Sequence, residues 1–213
     1  MNEAQPLLKN QDLFRASPSD LNPEEITTAL QWLRGSTLYP SPRSIHFDLT
    51  LRCTAHCLHC KQWTWPLHTE LNLPKLTELI RIFQSWGVRT LTVGGGNPLL
   101  HPHFIDVLRM ARQVAMHVGI ITEGCQILPA TAEAIAKHAS WIRFSLDGPT
   151  AQVHDRIRNS PGLFENVLSS ISDLQSHRTS IQIGLNCVVQ KHNVNRWTEM
   201  VKLAERLSVS AIF

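Results

Sequence analysis

The sequence lacks the features that mark a membrane-spanning or a secreted protein. No stretch of about 18 or more uninterrupted apolar residues occurs, so no membrane span is expected. The N-terminus, Met1-Asn-Glu-Ala-Gln-Pro, has neither the basic start nor the apolar segment of a secretory signal. We therefore expect a cytoplasmic protein that makes no contact with a membrane.

A strong charge of either sign is also missing. The formal net charge is +3, and 17% of the 213 residues are charged. This balance does not favour a nucleic-acid partner or an acidic membrane surface. The hydrophobic content of 43% is typical of a globular core, and the length allows one substantial domain but not two large ones.

The cysteines do not form a disulfide framework. There are five, and three of them, Cys53, Cys57 and Cys60, lie within one short segment. In a cytosolic protein this crowding points to a metal. Three thiolates on one loop can hold three irons of a [4Fe–4S] cluster and leave the fourth iron without a protein ligand. The isolated Cys125 and Cys187 are interpreted as packing thiols.

A structural zinc site is the alternative for the three cysteines, with His56 or His59 as the fourth ligand. Such zinc sites usually combine two Cys-x2-Cys-like halves that lie far apart in the sequence. The second half is missing here, so a cluster is favoured.

Short apolar runs alternate with helical patterns from residue 45 onward. Strands are predicted at residues 45–51, 88–93, 117–122, 141–146, 181–189 and 209–213. Helices are predicted from residue 72 and at residues 104–115, 129–139, 163–174 and 193–207. Residues 154–158 are assigned to a longer connection. Residues 1–43 are interpreted as a lead-in with one helix at about 22–33, and residues 44–213 as the main domain. This alternation predicts an α/β fold with a parallel sheet and helices outside it.

The unusual residues of the chain follow the predicted strands. The cysteines follow the first strand, glycines 94–96 the second, residues 122–124 the third, and residues 145–148 end the fourth. Taken alone, the glycines or Asp147-Gly148-Pro149 are equally compatible with plain turns. Because ligands gather at the carboxyl ends of parallel strands, their common placement predicts one shared site.

Three motifs in this order resemble the radical S-adenosylmethionine (radical SAM) superfamily over about residues 44–213. They are Cys53-x3-Cys57-x2-Cys60, Gly95-Gly96-Asn97-Pro98 and Ser145-Leu146-Asp147-Gly148. The resemblance implies a partial (β/α)6 TIM-like barrel of parallel strands, with a [4Fe–4S] cluster and SAM as cofactors. It also implies that the reduced cluster cleaves SAM to methionine and a 5′-deoxyadenosyl radical, which abstracts hydrogen from a substrate.

The resemblance further implies roles for individual residues, and no catalytic residue is assigned beyond the cluster. The cluster ligands are Cys53, Cys57 and Cys60, and the SAM contacts are Gly95, Gly96, Asn97, Ser145, Arg158 and Asn186. Glycines suit the second-strand segment because the backbone must approach the ligand closely. A guanidinium fork at Arg158 suits the planar carboxylate of SAM.

Three positions depart from the family pattern. Asn97 replaces the acid of the usual Gly-Gly-Glu-Pro, Glu123 replaces the amide of the usual Thr-Asn-Gly, and His59 stands where an apolar residue is common. The first two departures support an alternative function, a non-catalytic or truncated cluster-binding subunit that needs a partner chain. The chain also ends within or just after the sixth predicted strand. A fragment, a truncated gene and a partner chain covering the open barrel edge are all compatible with that end.

The sequence leaves the substrate open. A peptide, a sugar or a nucleoside are all compatible with it, because the fold does not determine what is bound. The resemblance implies an electron donor such as flavodoxin or ferredoxin and an activity of the oxidoreductase or transferase class.

Overall fold

Alternating strands and helices occupy most of the part of the chain that the structure describes. The structure, a computed structural model, describes Thr27 and residues 41–65, 70–177 and 180–212. The chain from Arg43 onward groups into one compact unit. The helix predicted at 22–33 lies outside the described residues except for Thr27, which is helical. The lead-in therefore stays a prediction.

The strands and helices are numbered here in chain order. The strands are β1 (Ser44–Thr50), β2 (Thr90–Gly95), β3 (His117–Thr122), β4 (Trp141–Ser145), β5 (Gln182–Asn186) and β6 (Ser210–Ile212). The helices are α1 (Leu73–Ser85), α2 (Phe104–Gln113), α3 (Pro129–His138), α4 (Ala151–Arg158), α5 (Leu163–Ser176) and α6 (Trp197–Arg206). Short 3₁₀ turns lie at Gln62–Thr64, Pro98–Leu100 and Val194–Arg196.

The six strands form one sheet in the order β1-β2-β3-β4-β5-β6, and every neighbouring pair is parallel. When spatial order follows sequence order, right-handed crossovers place the connecting helices on the same side of the sheet. This is the arrangement of a partial (β/α)6 barrel, and it confirms the predicted fold class. In the described part of the chain, no helix is long and apolar enough to span a membrane.

The two faces of the sheet differ in chemistry. The face under the helices is apolar, with buried side chains at Leu91, Val93, Val118, Ile120, Ile142, Phe144 and Leu185. On the opposite face, glycines lie beside larger side chains of an adjacent strand. A Cβ atom at Gly119 would lie 1.9 Å from the Trp141 ring, and one at Gly94 would lie 2.7 Å from His46 Nε2. The glycines therefore make room for polar and aromatic side chains on this face.

Helix α1 begins where the sequence predicts it. Asn72 is its N-cap, because the Asn72 side chain accepts a hydrogen bond of 3.2 Å from the Lys75 backbone N–H. Leu76, Ile80 and Phe83 are the buried positions of this helix, spaced as an amphipathic pattern requires.

Helix α4 corrects the prediction that residues 154–158 belong to an irregular connection. The helix has eight residues, and its apolar positions Val153 and Ile157 form a single i, i+4 pair. That pair is too short to show a helical period in the sequence. The helix nevertheless buries Ile157, His154 and Arg158, and it ends at Asn159 in the left-handed conformation, with φ of 47°.

Strand β5 is also shorter than predicted. It ends at Asn186, although the apolar run continues to residue 189. Beyond Asn186 the chain leaves the sheet, and the backbone N–H of Val188 donates to the Asp147 carboxylate over 2.9 Å. A side chain of a neighbouring strand end therefore terminates β5.

Candidate functional site

The cysteine loop, residues 51–60, follows β1 and contains no helix or strand. Ala55, Cys57 and Leu163 form one small buried group. Cys53 and Cys60 are partly exposed and pack against it. The three cysteines therefore belong to one cluster of side chains, with Cys57 buried and Cys53 and Cys60 partly exposed. Since the loop has no regular hydrogen-bond ladder, other elements must hold it in place.

The end of β2 holds the start of the cysteine loop by backbone contacts. Gly96 N–H donates to the Thr50 carbonyl over 2.8 Å, and Asn97 N–H donates to the Arg52 carbonyl over 2.7 Å. A Cβ at Gly95 would lie 2.3 Å from the Thr50 carbonyl oxygen, and one at Gly96 would lie 2.3 Å from that of Arg52. Gly95 therefore lies close against the last residue of β1, and Gly96 lies close against the cysteine loop. The predicted approach of the same segment to SAM stays a prediction.

Glu123 holds the middle of the loop from the end of β3. Its carboxylate is buried and accepts hydrogen bonds from Thr54 N–H at 3.2 Å, Thr54 Oγ1 at 2.7 Å and Ala55 N–H at 2.9 Å. The Cys53 sulfur lies 3.1 Å from the carboxylate oxygen that Ala55 contacts. Glu123 therefore binds the backbone beside the first predicted cluster ligand.

The Asn97 side chain is completely buried and connects β2 with β3. Its Nδ2 donates to Glu123 over 3.1 Å and to the Cys125 sulfur over 2.9 Å. Its Oδ1 accepts from Thr122 Oγ1 at 2.9 Å and from Leu99 N–H at 3.3 Å. Cys125 thus lies beside the site rather than in the core, and its isolated position in the sequence carried no signal of this.

Helix α4 holds the far end of the loop. Leu58 N–H donates to the Ile157 carbonyl over 2.9 Å, and Arg158 Nη1 donates to the Cys57 sulfur over 3.5 Å. Arg158 Nε lies 2.7 Å from Asp147 Oδ2, although the two groups are not aligned as a regular hydrogen bond. Burial acts to lower the pKa of Arg158, but the charges of Asp147 and Cys57 raise it. Arg158 therefore stays a cation between a carboxylate and a sulfur.

Asp147, which the sequence gives as part of the Ser145-Leu146-Asp147-Gly148 motif without a role of its own, connects several elements near the cysteine loop. It is completely buried, and its Oδ1 accepts from Val188 N–H at 2.9 Å. Its backbone carbonyl accepts from Asn193 Nδ2 at 2.9 Å, and its N–H donates to His154 Nδ1 over 3.0 Å. Burial, followed by the charge of Arg158, lowers the pKa of His154 to about 3, which keeps the imidazole neutral as an acceptor. Asp147 joins β4, β5 and α4 beneath the loop.

The surroundings of the cysteine sulfurs differ from one to the next. Burial, together with the neighbouring Glu123, raises the pKa of Cys53 to about 12. Burial also raises the pKa of Cys57, but Arg158 opposes this shift. The sulfur of Cys60 accepts a hydrogen bond of 3.4 Å from Gln62 N–H. N–H donors at two of the three sulfurs suit thiolates that carry a cluster, since such hydrogen bonds tune its potential.

The side chains considered for a zinc site are not gathered around one point. Among the described residues, no three His, Cys, Asp or Glu side chains surround one point as a metal ion requires. A cubane has a different requirement, because each thiolate binds a separate iron. Both histidines considered for zinc have other neighbours: His56 lies 4.9 Å from the Trp63 ring, and His59 Nδ1 lies 3.2 Å from Gln190 Nε2.

The structure brings Ser145 and Asn186 together. They are the last residues of β4 and β5 and lie opposite each other in the register of the two strands. Both are half-buried, so their side chains remain accessible at the carboxyl end of the sheet. Their contacts with SAM stay predictions. Cys187, the next residue, packs in the main core, as predicted.

Comparison with known proteins agrees with this geometry. A family model described as the radical SAM superfamily matches residues 48–204. The AdoMet-dependent heme synthase of Methanosarcina barkeri is 30% identical over 174 residues, which cover 80% of this chain and 49% of that protein. The PqqA peptide cyclase of Ruegeria pomeroyi is 27% identical over 79% of this chain and 45% of its own length.

The fold matches solved structures as well. Streptococcus suis SuiB, in a crystal structure bound to S-adenosylmethionine, superposes with a TM-score of 0.73 at 14% identity, over 87% of this chain and 43% of SuiB. The chain spans about half the length of the curated relatives it matches.

The contact of Gly96 with the cysteine loop makes this residue sensitive to a single methyl group. We expect Gly96→Ala to destabilise the chain by about 1–3 kcal/mol in urea unfolding, because the new Cβ would press on backbone carbonyls of the loop. Gly94→Ala is the matched control, since its Cβ would meet the movable, exposed side chain of His46. Equal stability losses in the two variants would contradict the assigned contact.

The buried pair of Arg158 and Asp147 predicts a second effect. Arg158→Ala should lower the free energy of unfolding by about 3–5 kcal/mol, because it leaves the Asp147 carboxylate buried without its cation. Arg196→Ala removes the same side chain from a surface pair with Glu199 and should change stability little. Urea unfolding monitored by circular dichroism measures both, and the two variants should be clearly separated.

Proposed function

This chain belongs to the radical SAM superfamily, whose members are enzymes that use a [4Fe–4S] cluster and SAM, and we propose that it cleaves SAM reductively to start hydrogen abstraction from a substrate. One observation carries the proposal. The loop with Cys53, Cys57 and Cys60 is held at the carboxyl end of a parallel sheet by three separate elements. Such an arrangement suits an open metal centre beside a ligand pocket.

In this proposal Cys53, Cys57 and Cys60 ligate the cluster. When bound, the cluster supplies the electron that splits SAM into methionine and a 5′-deoxyadenosyl radical. The protein orients the cluster: Glu123 and Gly96 hold the loop, and Arg158 directs an N–H group to the Cys57 sulfur.

SAM is proposed to bind along the strand ends next to the loop. The backbone of Gly95, Gly96 and Asn97 lies on one side, and the paired Ser145 and Asn186 lie across the sheet. We assign the SAM carboxylate to Arg158. A guanidinium has five N–H donors, so its contacts with Asp147 and Cys57 leave donors available for a carboxylate.

The substrate is proposed to be a peptide or a small molecule. One relative is named as a peptide cyclase and another as a heme synthase. An electron donor of the flavodoxin or ferredoxin type would supply the reducing equivalent in the cell. Residues 44–213 are proposed as the core that carries this chemistry.

The competing function is a cluster-binding subunit that needs a partner chain. It rests in part on Asn97 and Glu123 as departures from the family pattern, and the two side chains are hydrogen-bonded to each other. It predicts weak SAM binding by the isolated chain and turnover only with a partner. A tight SAM affinity measured by calorimetry on the reconstituted chain would exclude it.

The decisive test is SAM cleavage. Anaerobically reconstituted protein, given dithionite and SAM, should release 5′-deoxyadenosine and methionine, detected by liquid chromatography with mass spectrometry. The variant Cys53→Ala/Cys57→Ala/Cys60→Ala should release neither, because it has no thiolates for the irons. If the wild-type chain carries a confirmed cluster and still yields no 5′-deoxyadenosine, the proposed activity is wrong.

A further inference from the structure

We propose that Glu70 is a positioning residue of the cluster centre. By binding Thr50 and Arg52 it fixes the backbone immediately before Cys53, the first predicted cluster ligand. Glu70 lies 18 residues after Arg52, and the three cysteines of the loop lie between the two. Neither residue is among the predicted cluster ligands or SAM contacts. The inference rests on the proposed function only for its effect on the cluster.

Arg52 and Glu70 form an ion pair with two points of contact. Arg52 Nε donates to Glu70 Oε1 over 2.9 Å, and Arg52 Nη2 donates to Glu70 Oε2 over 2.8 Å. Two parallel hydrogen bonds between a guanidinium and a carboxylate fix the orientation of the two groups as well as their distance. The side chains are 40% and 27% exposed, so solvent screens the pair only in part. The pair therefore ties the chain after the cysteines to the chain before them.

Thr50, the last residue of β1, adds a second link between the same two residues. Its hydroxyl accepts a hydrogen bond of 3.0 Å from Arg52 N–H and donates to Glu70 Oε1. Since an N–H group can only donate, the hydroxyl proton is left for the carboxylate, which can only accept. Burial acts to raise the pKa of Glu70, but the hydrogen bonds from Thr50 and Arg52 lower it, so the group stays ionised. One carboxylate thus binds the Arg52 side chain directly and the Arg52 N–H through Thr50.

These links leave the backbone at Arg52 little freedom. Its N–H is bound by Thr50, its guanidinium by Glu70, and its carbonyl by Asn97 N–H at 2.7 Å. Because Cys53 is the next residue, these contacts set the direction in which the Cys53 side chain leaves the backbone. Removing the Glu70 carboxylate should release the guanidinium and the Thr50 hydroxyl while the carbonyl contact stays in place.

His101 approaches the same carboxylate from the turn after β2. It is buried, and its Nδ1 accepts a hydrogen bond of 3.1 Å from His103 N–H. Burial lowers the pKa of His101, which keeps the ring neutral. The ring proton is therefore on Nε2, which lies 4.0 Å from Glu70 Oε2. Glu70 thus faces donors from β1, from the cysteine loop and from the turn after β2, the three parts of the chain that meet at the start of the loop.

The contacts predict a local effect of substitution. Glu70→Gln keeps the shape of the side chain but turns an NH₂ group toward Arg52, so amides at the start of the loop should exchange about 10-fold faster. Thr50→Val removes the hydroxyl and should change exchange in the same direction, whereas Thr50→Ser retains the hydroxyl and should retain protection. Glu199→Gln is the matched control, because Glu199 forms the same two-point pair with Arg196 at the surface.

Hydrogen–deuterium exchange, measured before cluster reconstitution, tests the positioning in peptides that cover residues 51–60. In Glu70→Gln the faster exchange should be confined to these peptides, and the midpoint of urea unfolding should stay near the wild-type value. Glu199→Gln should exchange like the wild type in the same peptides. Wild-type exchange in Glu70→Gln would overturn the proposal. A loss of protection spread evenly over the chain would overturn it too, because that result indicates a general loss of stability.

A second measurement follows the effect on the cluster. After anaerobic reconstitution, iron and sulfide per chain are determined, and the release of iron to a chelator is followed for the same variants. Residues that orient metal ligands typically contribute about 10- to 100-fold to metal affinity, so Glu70→Gln should release iron about 10-fold faster than Glu199→Gln. Equal rates in these two variants would contradict the positioning role. A wild-type chain that takes up no cluster would reject the proposed function, while the exchange data would still decide on Glu70.

Discussion

The site depends on one constraint: the cysteine loop has no hydrogen-bond ladder of its own, so its backbone must be satisfied from outside. Three elements do this. The N–H groups of Gly96 and Asn97, after β2, donate to the carbonyls of Thr50 and Arg52 at the start of the loop. Glu123 accepts hydrogen bonds from the middle of the loop, and the Ile157 carbonyl of α4 accepts one from Leu58 N–H near its end. Because these elements lie far apart in the sequence, the loop has a defined position only when the sheet is assembled. The sheet is thus the scaffold of the site as well as the core of the domain.

Two buried carboxylates contribute to holding the loop, and each is stabilised in a different way. Glu123 binds the middle of the loop directly, and Asp147 acts through Arg158, which contacts Cys57. Glu123 is surrounded by N–H and O–H donors, which replace the water that it loses. Asp147 faces the guanidinium of Arg158 and accepts a hydrogen bond from the backbone N–H of Val188, just after β5. As a result, the sulfur of Cys53 lies beside an acid and that of Cys57 beside a cation. The three cysteines are therefore not electrostatically equivalent, although the sequence presents them as equal members of one motif.

The sequence predicted the architecture well because periodicity is a local property. Strand β3 has the predicted bounds, and α1 begins at its predicted N-cap. Helix α4 was missed because one i, i+4 pair cannot show a period, and the end of β5 was missed because Asp147, 41 residues away, captures Val188 N–H. The place of Cys125 was also hidden, since its contact with Asn97 depends on the packing of two strand ends. Long-range hydrogen bonds of this kind leave no trace in a single sequence.

Two of the departures from the family pattern, Asn97 and Glu123, are in contact in the structure. Considered position by position, Asn97 and Glu123 are two losses, one of an acid and one of an amide. In the structure the Asn97 side chain donates to Glu123, and Glu123 accepts the hydrogen bonds from the Thr54 and Ala55 N–H groups of the loop. The parallel strands β2 and β3 bring the two side chains into contact, so the effect of changing either residue depends on the other. A motif at the end of one strand therefore has to be considered together with the residue that contacts it from the next strand.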